Sequence, residues 1–165
     1  MVGLLFLALL QDIGTGGALA TARLDLRAGK YESTVTNLRE LASKLPNSAE
    51  VFDMLGTAEF MVGHPAESCK AFDRQIKLRP EDGPGHWRRG ISLYYAGRYA
   101  EGQKQFEDYQ SVDGNDVENT VWKLMCQVRV PGQSLEKAQK EMLPIGLDRR
   151  IPMMKVLDLF AGKVK

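Results

Sequence analysis

The stretch HWRRGISLYYAGRYAEGQKQF, residues 86–106, decides the fold. Gly90 precedes Gly97 by seven residues, Tyr99 follows it by two, and Phe106 follows it by nine. Stepping back 34 residues finds the same pattern at Gly56, Gly63, Pro65 and Phe72, and a second step of 34 finds Ala22, Gly29, Tyr31 and Leu38. Small or apolar Ala28, Val62 and Ala96 stand just before the glycines, while Pro46 and Pro80 share the period, with Gly114 in the third place. Six columns without an insertion mark a chain built of stacked supersecondary units.

Each column has a physical reading. Gly29, Gly63 and Gly97 suit the left-handed position that ends a helix. The aromatic or proline two residues later opens the next helix. Ala22, Gly56 and Gly90 let two helices approach closely, and Leu38, Phe72 and Phe106 are the knobs that face them. Proline after the second helix stops it. The columns predict helix pairs at 17–28 with 31–44, 49–62 with 66–78, and 84–96 with 99–111. Beyond these, Asp116 is an N-cap candidate for a helix to Val130, with Val117, Val121, Leu124 and Val128 on one stripe. Shorter helices are expected over Ser134–Met142 and Ile151–Phe160. The expectation is an all-α, right-handed α-solenoid of three helical hairpins, followed by a degenerate repeat and helices that cap its apolar end. One domain covers 15–165, with repeats at 15–48, 49–82 and 83–116 and the degenerate unit and cap at 117–165.

Composition narrows the function. The 22 Lys and Arg nearly cancel the 21 Asp and Glu, and a net charge of +1 gives no field to draw in a phosphate backbone. Nucleic acid is therefore disfavoured as a partner, and the doublets Arg88-Arg89 and Arg149-Arg150 read as solvated surface. Cys69, Cys126, His64 and His86 show no metal-ligand spacing, so neither a metal nor a cofactor is expected. No phosphate loop, HExxH motif or Ser/His/Asp order is present, which points away from an enzyme.

The N-terminal segment 1–14 carries an apolar run over residues 1–10, too short to span a bilayer. It reads either as the core of a leader, with Ala18-Leu19-Ala20 as a cleavage site, or as an apolar helix. No Lys or Arg precedes the run, the first being Arg23. A leader would place the protein in a chloroplast or outside the cytoplasm; otherwise it would be cytoplasmic.

The columns resemble the tetratricopeptide repeat (TPR) over about 15–116, most specifically at Leu55-Gly56, Gly63, Phe72 and Pro80, and at Gly90, Gly97, Tyr99 and Phe106. Ser68 and Gly102 depart from the usual Ala of the second helix. Residues 86–99, with Gln105-Phe106-Glu107 and Asn115–Asn119, also look like a subgroup of chloroplast and bacterial TPR proteins, and the elements Leu93-Tyr94-Tyr95-x-Gly97-Arg98 and Asn115-Asp116 are similar to NlpI-type scaffolds. The resemblance implies that the first helix of each hairpin lines a concave groove. It would put Trp87, Ile91, Tyr94 and Tyr95 in that groove from the third repeat, Phe60 from the second, and Arg23 and Arg27 from the first. Arg88 is the one residue matching the clamp by which some TPR proteins capture a chaperone's C-terminal carboxylate; Leu19, Arg23, Met54 and Pro84 do not match, so no such clamp is expected.

Trp, Tyr and Arg dominate binding energies at interfaces. The expected function is thus a protein-interaction scaffold holding a protein or peptide segment in the groove. A homodimer through the same aromatics is the alternative, and an RNA-binding helical repeat a distant one. Packing of Trp87 or Tyr95 against the tail helix 151–160 would instead close the groove.

Overall fold

In the computed structural model, the backbone is described for residues 2–164 and the side chains for residues 15–164. The leader reading of segment 1–14 therefore lies outside the described side chains. The described chain runs through α1 (Val2–Arg27), α2 (Tyr31–Lys44), α3 (Ala49–Met61), α4 (Pro65–Leu78), α5 (Trp87–Tyr95), α6 (Tyr99–Tyr109), α7 (Val117–Gln127), α8 (Leu135–Lys140) and α9 (Met153–Phe160), with no strand among the described residues. It forms two compact units, Met1–Arg79 and Pro80–Lys165.

The first unit holds two hairpins, α1–α2 and α3–α4. Gly29 and Gly63 end α1 and α3 at φ 75° and 81°. Around Gly63 the turn closes by two hydrogen bonds, Gly63 N–H to Phe60 O at 3.0 Å and His64 N–H to Glu59 O at 2.8 Å. These are the 5→2 and 6→1 bonds that satisfy a helix's last carbonyls. Gly29 and Lys30 repeat the pair at Leu26 and Asp25. Ala22, Leu38, Val51, Met54 and Ala58 belong to one buried cluster. Gly56 lies under the Phe72 ring, where a Cβ would stand 2.5 Å from the ring. Ser68 replaces the expected alanine because its Oγ donates to the Gly56 carbonyl at 2.7 Å. Glu59 is 2% exposed and accepts from Arg39 Nε at 2.7 Å, with His64 Nδ1 at 3.0 Å.

The second unit repeats the hairpin with α5–α6. Gly97 ends α5 at φ 76°, closed by Gly97 N–H to Tyr94 O and Arg98 N–H to Leu93 O. A Cβ at Gly90 would stand 2.6 Å from the Phe106 ring. Gly102 admits Cys126 of α7, whose sulfur would lie 2.8 Å from an added Cβ. α5 starts at Trp87 rather than at 84. A 3-10 turn occupies Pro80–Asp82, and His86 caps the helix, its Nδ1 accepting from Arg89 N–H at 3.2 Å.

The tail after α7 is irregular between its helices, and polar bonds hold it. Thr120 Oγ1 accepts from Leu143 N–H at 2.8 Å and donates to Leu143 O at 3.3 Å. Lys123 Nζ, on a residue 3% exposed, donates to Glu141 O at 2.7 Å. Asn115 Oδ1 accepts from Leu147 N–H at 3.1 Å. α8 and α9 both pack on α7, so the tail covers α7 as the repeat pattern predicts.

Candidate functional site

Three helices and one tail residue of the second unit enclose a cavity of about 380 Å³. Trp87 and Ile91, one turn apart, come from α5. Phe106 and Tyr109 come from α6. Glu118, Asn119 and Trp122 come from α7, and Asp116 and Arg150 complete the lining. The 3- and 4-residue spacings are what put these side chains on single helix faces.

Apolar burial and ring stacking form the walls. Phe106 stacks on Trp122 with centroids 6.0 Å apart and planes 14° from parallel. Tyr94 meets Trp122, Tyr95 and Tyr99 edge-on at 5.5, 5.4 and 5.5 Å. Tyr95 also approaches Trp122 at 6.4 Å. This cluster places Tyr94 in the packing, half-buried. Trp87 and Tyr95 stay 50% and 60% exposed, so the tail leaves both open to solvent.

Charge forms the rim. Arg150 Nη2 donates to Asp116 at 2.6 Å and to Asp148 at 2.6 Å, while Nη1 donates to Glu118 at 2.9 Å. Arg150 is therefore an ion-pair hub and not the solvated surface residue that its doublet suggests. Asp148 also accepts from the backbone N–H groups of Val117 and Arg150. The Arg150 guanidinium, aided by those backbone bonds and opposed by burial, holds the Asp148 carboxyl well below the usual carboxylate range. A depressed folded value means that the anion stabilises the fold above the unfolded value, near pH 4, and that this is lost as pH falls through the folded value. Acid titration of the native chain is accordingly expected to loosen the second unit below about pH 4, and Asp148→Asn to flatten that dependence in a fluorescence-monitored melt series. An unchanged pH profile would remove Asp148 from this role. At the cavity wall, the Tyr109 hydroxyl is raised above its ordinary value by burial first, then by Asp116 and Asp113.

Asn119 is 3% exposed. Its Nδ2 donates to Phe106 O at 3.0 Å and lies 3.5 Å from Gln110 Oε1. Its Oδ1 is buried and accepts no hydrogen bond among the described residues.

Of the predicted groove residues, the second unit brings Trp87 and Ile91 to the cavity and sets Tyr94 and Tyr95 beside it. Arg88 is half-buried on α5. In the first unit, Arg23 pairs with Glu50 at 2.6 Å, Arg27 is exposed at the end of α1, and Phe60 is half-buried on α3. Sequence reasoning missed Trp122, Tyr109, Asn119, Glu118 and Arg150. The second tryptophan of a two-tryptophan chain was the one available signal.

No group of three or more His, Cys, Asp or Glu among the described residues could hold a metal. Both cysteines are buried, and burial pushes the Cys126 thiol up to about 12, far from a nucleophile's range. No helix among the described residues is long and apolar enough to cross a membrane.

No family model matches the sequence. Among solved structures, a fragment of MamA running from residue 41 to its end, from Desulfovibrio magneticus RS-1, matches at a TM-score of 0.68. That match has 19% identity and covers 91% of this chain and 77% of the other. The MamA RS-1 ArsTM double mutant matches with the same score and identity, over 91% and 76%. MamA is a TPR-like helical protein. The fold is TPR-like. At this identity the likeness speaks for the fold alone.

Proposed function

We propose that the chain is a protein-interaction scaffold that holds a segment of a partner protein against the α5–α7 face, in the concave groove that the repeat pattern implies. One observation carries this reading. Trp87, which helps to line the cavity, and Tyr95, whose ring lies 6.4 Å from that of the lining Trp122, are large aromatic side chains left half or more exposed. Exposed aromatics beside a concavity mark interaction surfaces, and Trp and Tyr are the side chains most often responsible for affinity. The near-zero net charge favours a protein over nucleic acid. Arg88 would add to the contact within the second unit, while Phe60, Arg23 and Arg27 hold the corresponding groove positions of the first unit's own hairpins. No residue is assigned a catalytic role.

We infer the narrower likeness to chloroplast and NlpI-type proteins from residues 86–99, 105–107 and 115–119 alone. Within that likeness, Asn115 and Asp116 bind the tail through Leu147 and Arg150.

The test is affinity capture from host lysate with the native chain and a Trp87→Ala, Tyr95→Ala double variant. Both side chains are exposed, so the variant is expected to keep its helicity. A protein retained by the native chain and lost by the folded variant is the expected result, with single-segment affinity in the micromolar range, about −8 kcal/mol. Equal retention would sink the groove reading. A two-fold dimer in light scattering, broken by the same variant, would replace the partner with a second copy of this chain.

A further inference from the structure

We infer that the cavity between α5, α6 and α7 is a receptor for an arginine side chain carried by a partner's segment. This rests on the interaction reading above and gives it a chemistry.

Four independent features of the cavity ask for the same ligand. The first is charge. Asp116 and Glu118 line the cavity and share a single guanidinium, that of Arg150, which the buried Asp148 also neutralises, so the lining keeps an excess of negative charge after its own pairing. The second is the buried acceptor. Asn119 Oδ1 lacks a hydrogen bond among the described residues, and a buried acceptor left unmet is costly enough that native structures rarely keep one. Asn119 lines the cavity, and a turn of its amide that brought Oδ1 to the cavity surface would let a ligand N–H satisfy it, which a ligand that only accepts could not do.

The third is the pair of tryptophans. Trp87 and Trp122 both line the cavity, and the face of tryptophan is the strongest aromatic partner for a cation. The fourth is shape. A guanidinium is planar, stacks on rings and offers five donors in one plane, whereas an ammonium is a compact, strongly hydrated point charge. Trp87, half exposed in the lining, offers the former a ring to stack on, whereas one face of Trp122 is already covered by Phe106. Arg150 shows the pairing that this rim makes with a guanidinium, here supplied by the chain itself.

Both tryptophans of the chain lie in this cavity, so indole signals report on the site. The experiment titrates the full chain with N-acetyl-arginine amide, following the two indole N–H resonances and the fluorescence. N-acetyl-citrulline amide, which is isosteric and neutral, and N-acetyl-leucine amide serve as comparisons. Saturable shifts of both indoles with the arginine probe are expected, about threefold or more tighter than with citrulline. Added NaCl should weaken the binding, and so should Glu118→Gln and Trp87→Ala by about threefold each. Both residues are exposed by half or more, and far-UV circular dichroism checks that the variants fold.

Equal binding of arginine and citrulline, tighter binding of leucine, or no saturable shift with any probe would overturn the inference. The two readings fail separately. Loss of a captured protein in the Trp87→Ala, Tyr95→Ala variant, with no preference for arginine, keeps the interaction and removes its chemistry. Selective arginine binding, with capture indifferent to that variant, keeps the receptor and sinks the interaction reading.

Discussion

Replacing Phe106 by alanine is expected to destabilise the second unit by about 3–5 kcal/mol, the range for emptying a buried phenylalanine site. Phe106 is 1% exposed, fills the space over Gly90, and stacks on Trp122. Three consequences therefore come together in one substitution: lost burial, a void over a glycine that offers no side chain to fill it, and a lost ring pair. The ring pair adds about 0.5–1.5 kcal/mol beyond area. Urea unfolding followed by tryptophan fluorescence is the measurement, because Trp87 and Trp122, the chain's two tryptophans, both belong to this unit. A loss below about 1 kcal/mol would mean that the site collapses around the missing ring and that the repeat column is not a packing column.

The second large effect runs the other way, from small to large. Gly56→Ala is expected to cost the first unit about 1–3 kcal/mol, since the new Cβ would stand 2.5 Å from the buried Phe72 ring. Helix propensity alone predicts the opposite sign, a gain of about 1 kcal/mol for Gly→Ala in a helix. The two effects therefore compete openly, and the steric one wins because Phe72 is 1% exposed and has nowhere to go. The chain suggests the remedy. Where the first repeat has Ala22 in this column, it has Leu38 opposite; the next two repeats pair Gly56 with Phe72 and Gly90 with Phe106. The double variant Gly56→Ala, Phe72→Leu copies the first repeat's pairing and should recover most of what Gly56→Ala loses. A thermal melt read by circular dichroism gives the coupling as a double-mutant cycle. Additive losses would show that the two columns do not compensate one another.

Much of the fold was legible because punctuation is local. A left-handed glycine followed two residues on by tyrosine or proline states where one helix stops and another starts, and the ends fell at Arg27, Met61 and Tyr95, each one residue short of expectation. The start of α5 was misplaced because it depends on His86 as a side-chain cap, and histidine is not a residue that announces an N-terminus. The cavity was half legible. Trp87 and Ile91 lie in a repeat, where position implies direction. Trp122 and Glu118 lie in a unit whose period has faded, and Arg150 lies in an irregular segment with no period at all. Sequence spacing says nothing about a contact between residues 32 or 34 apart, such as Arg150 with Glu118 or Asp116, unless a regular element connects them. The tail's helices and its capping place were legible from their apolar spacing, but its polar seam was not: those bonds run from Thr120, Lys123 and Asn115 to backbone groups, and hydrophobic patterning does not register such bonds.

Arg150 lines the cavity and, through Asp148, ties the tail to the backbone N–H of Val117 at the start of α7. Thermodynamic linkage follows from that double duty. An occupant that competes for Asp116 and Glu118 loosens Arg150 and so taxes the tail, and by reciprocity a loosened tail changes the occupant's affinity by the same factor. Protonation of Asp148 enters the same cycle as a third ligand. Amide exchange over residues 143–150 thus becomes a readout of occupancy some distance along the chain from the aromatic walls, and a gauge of how far this unit works as a transducer in addition to a holder.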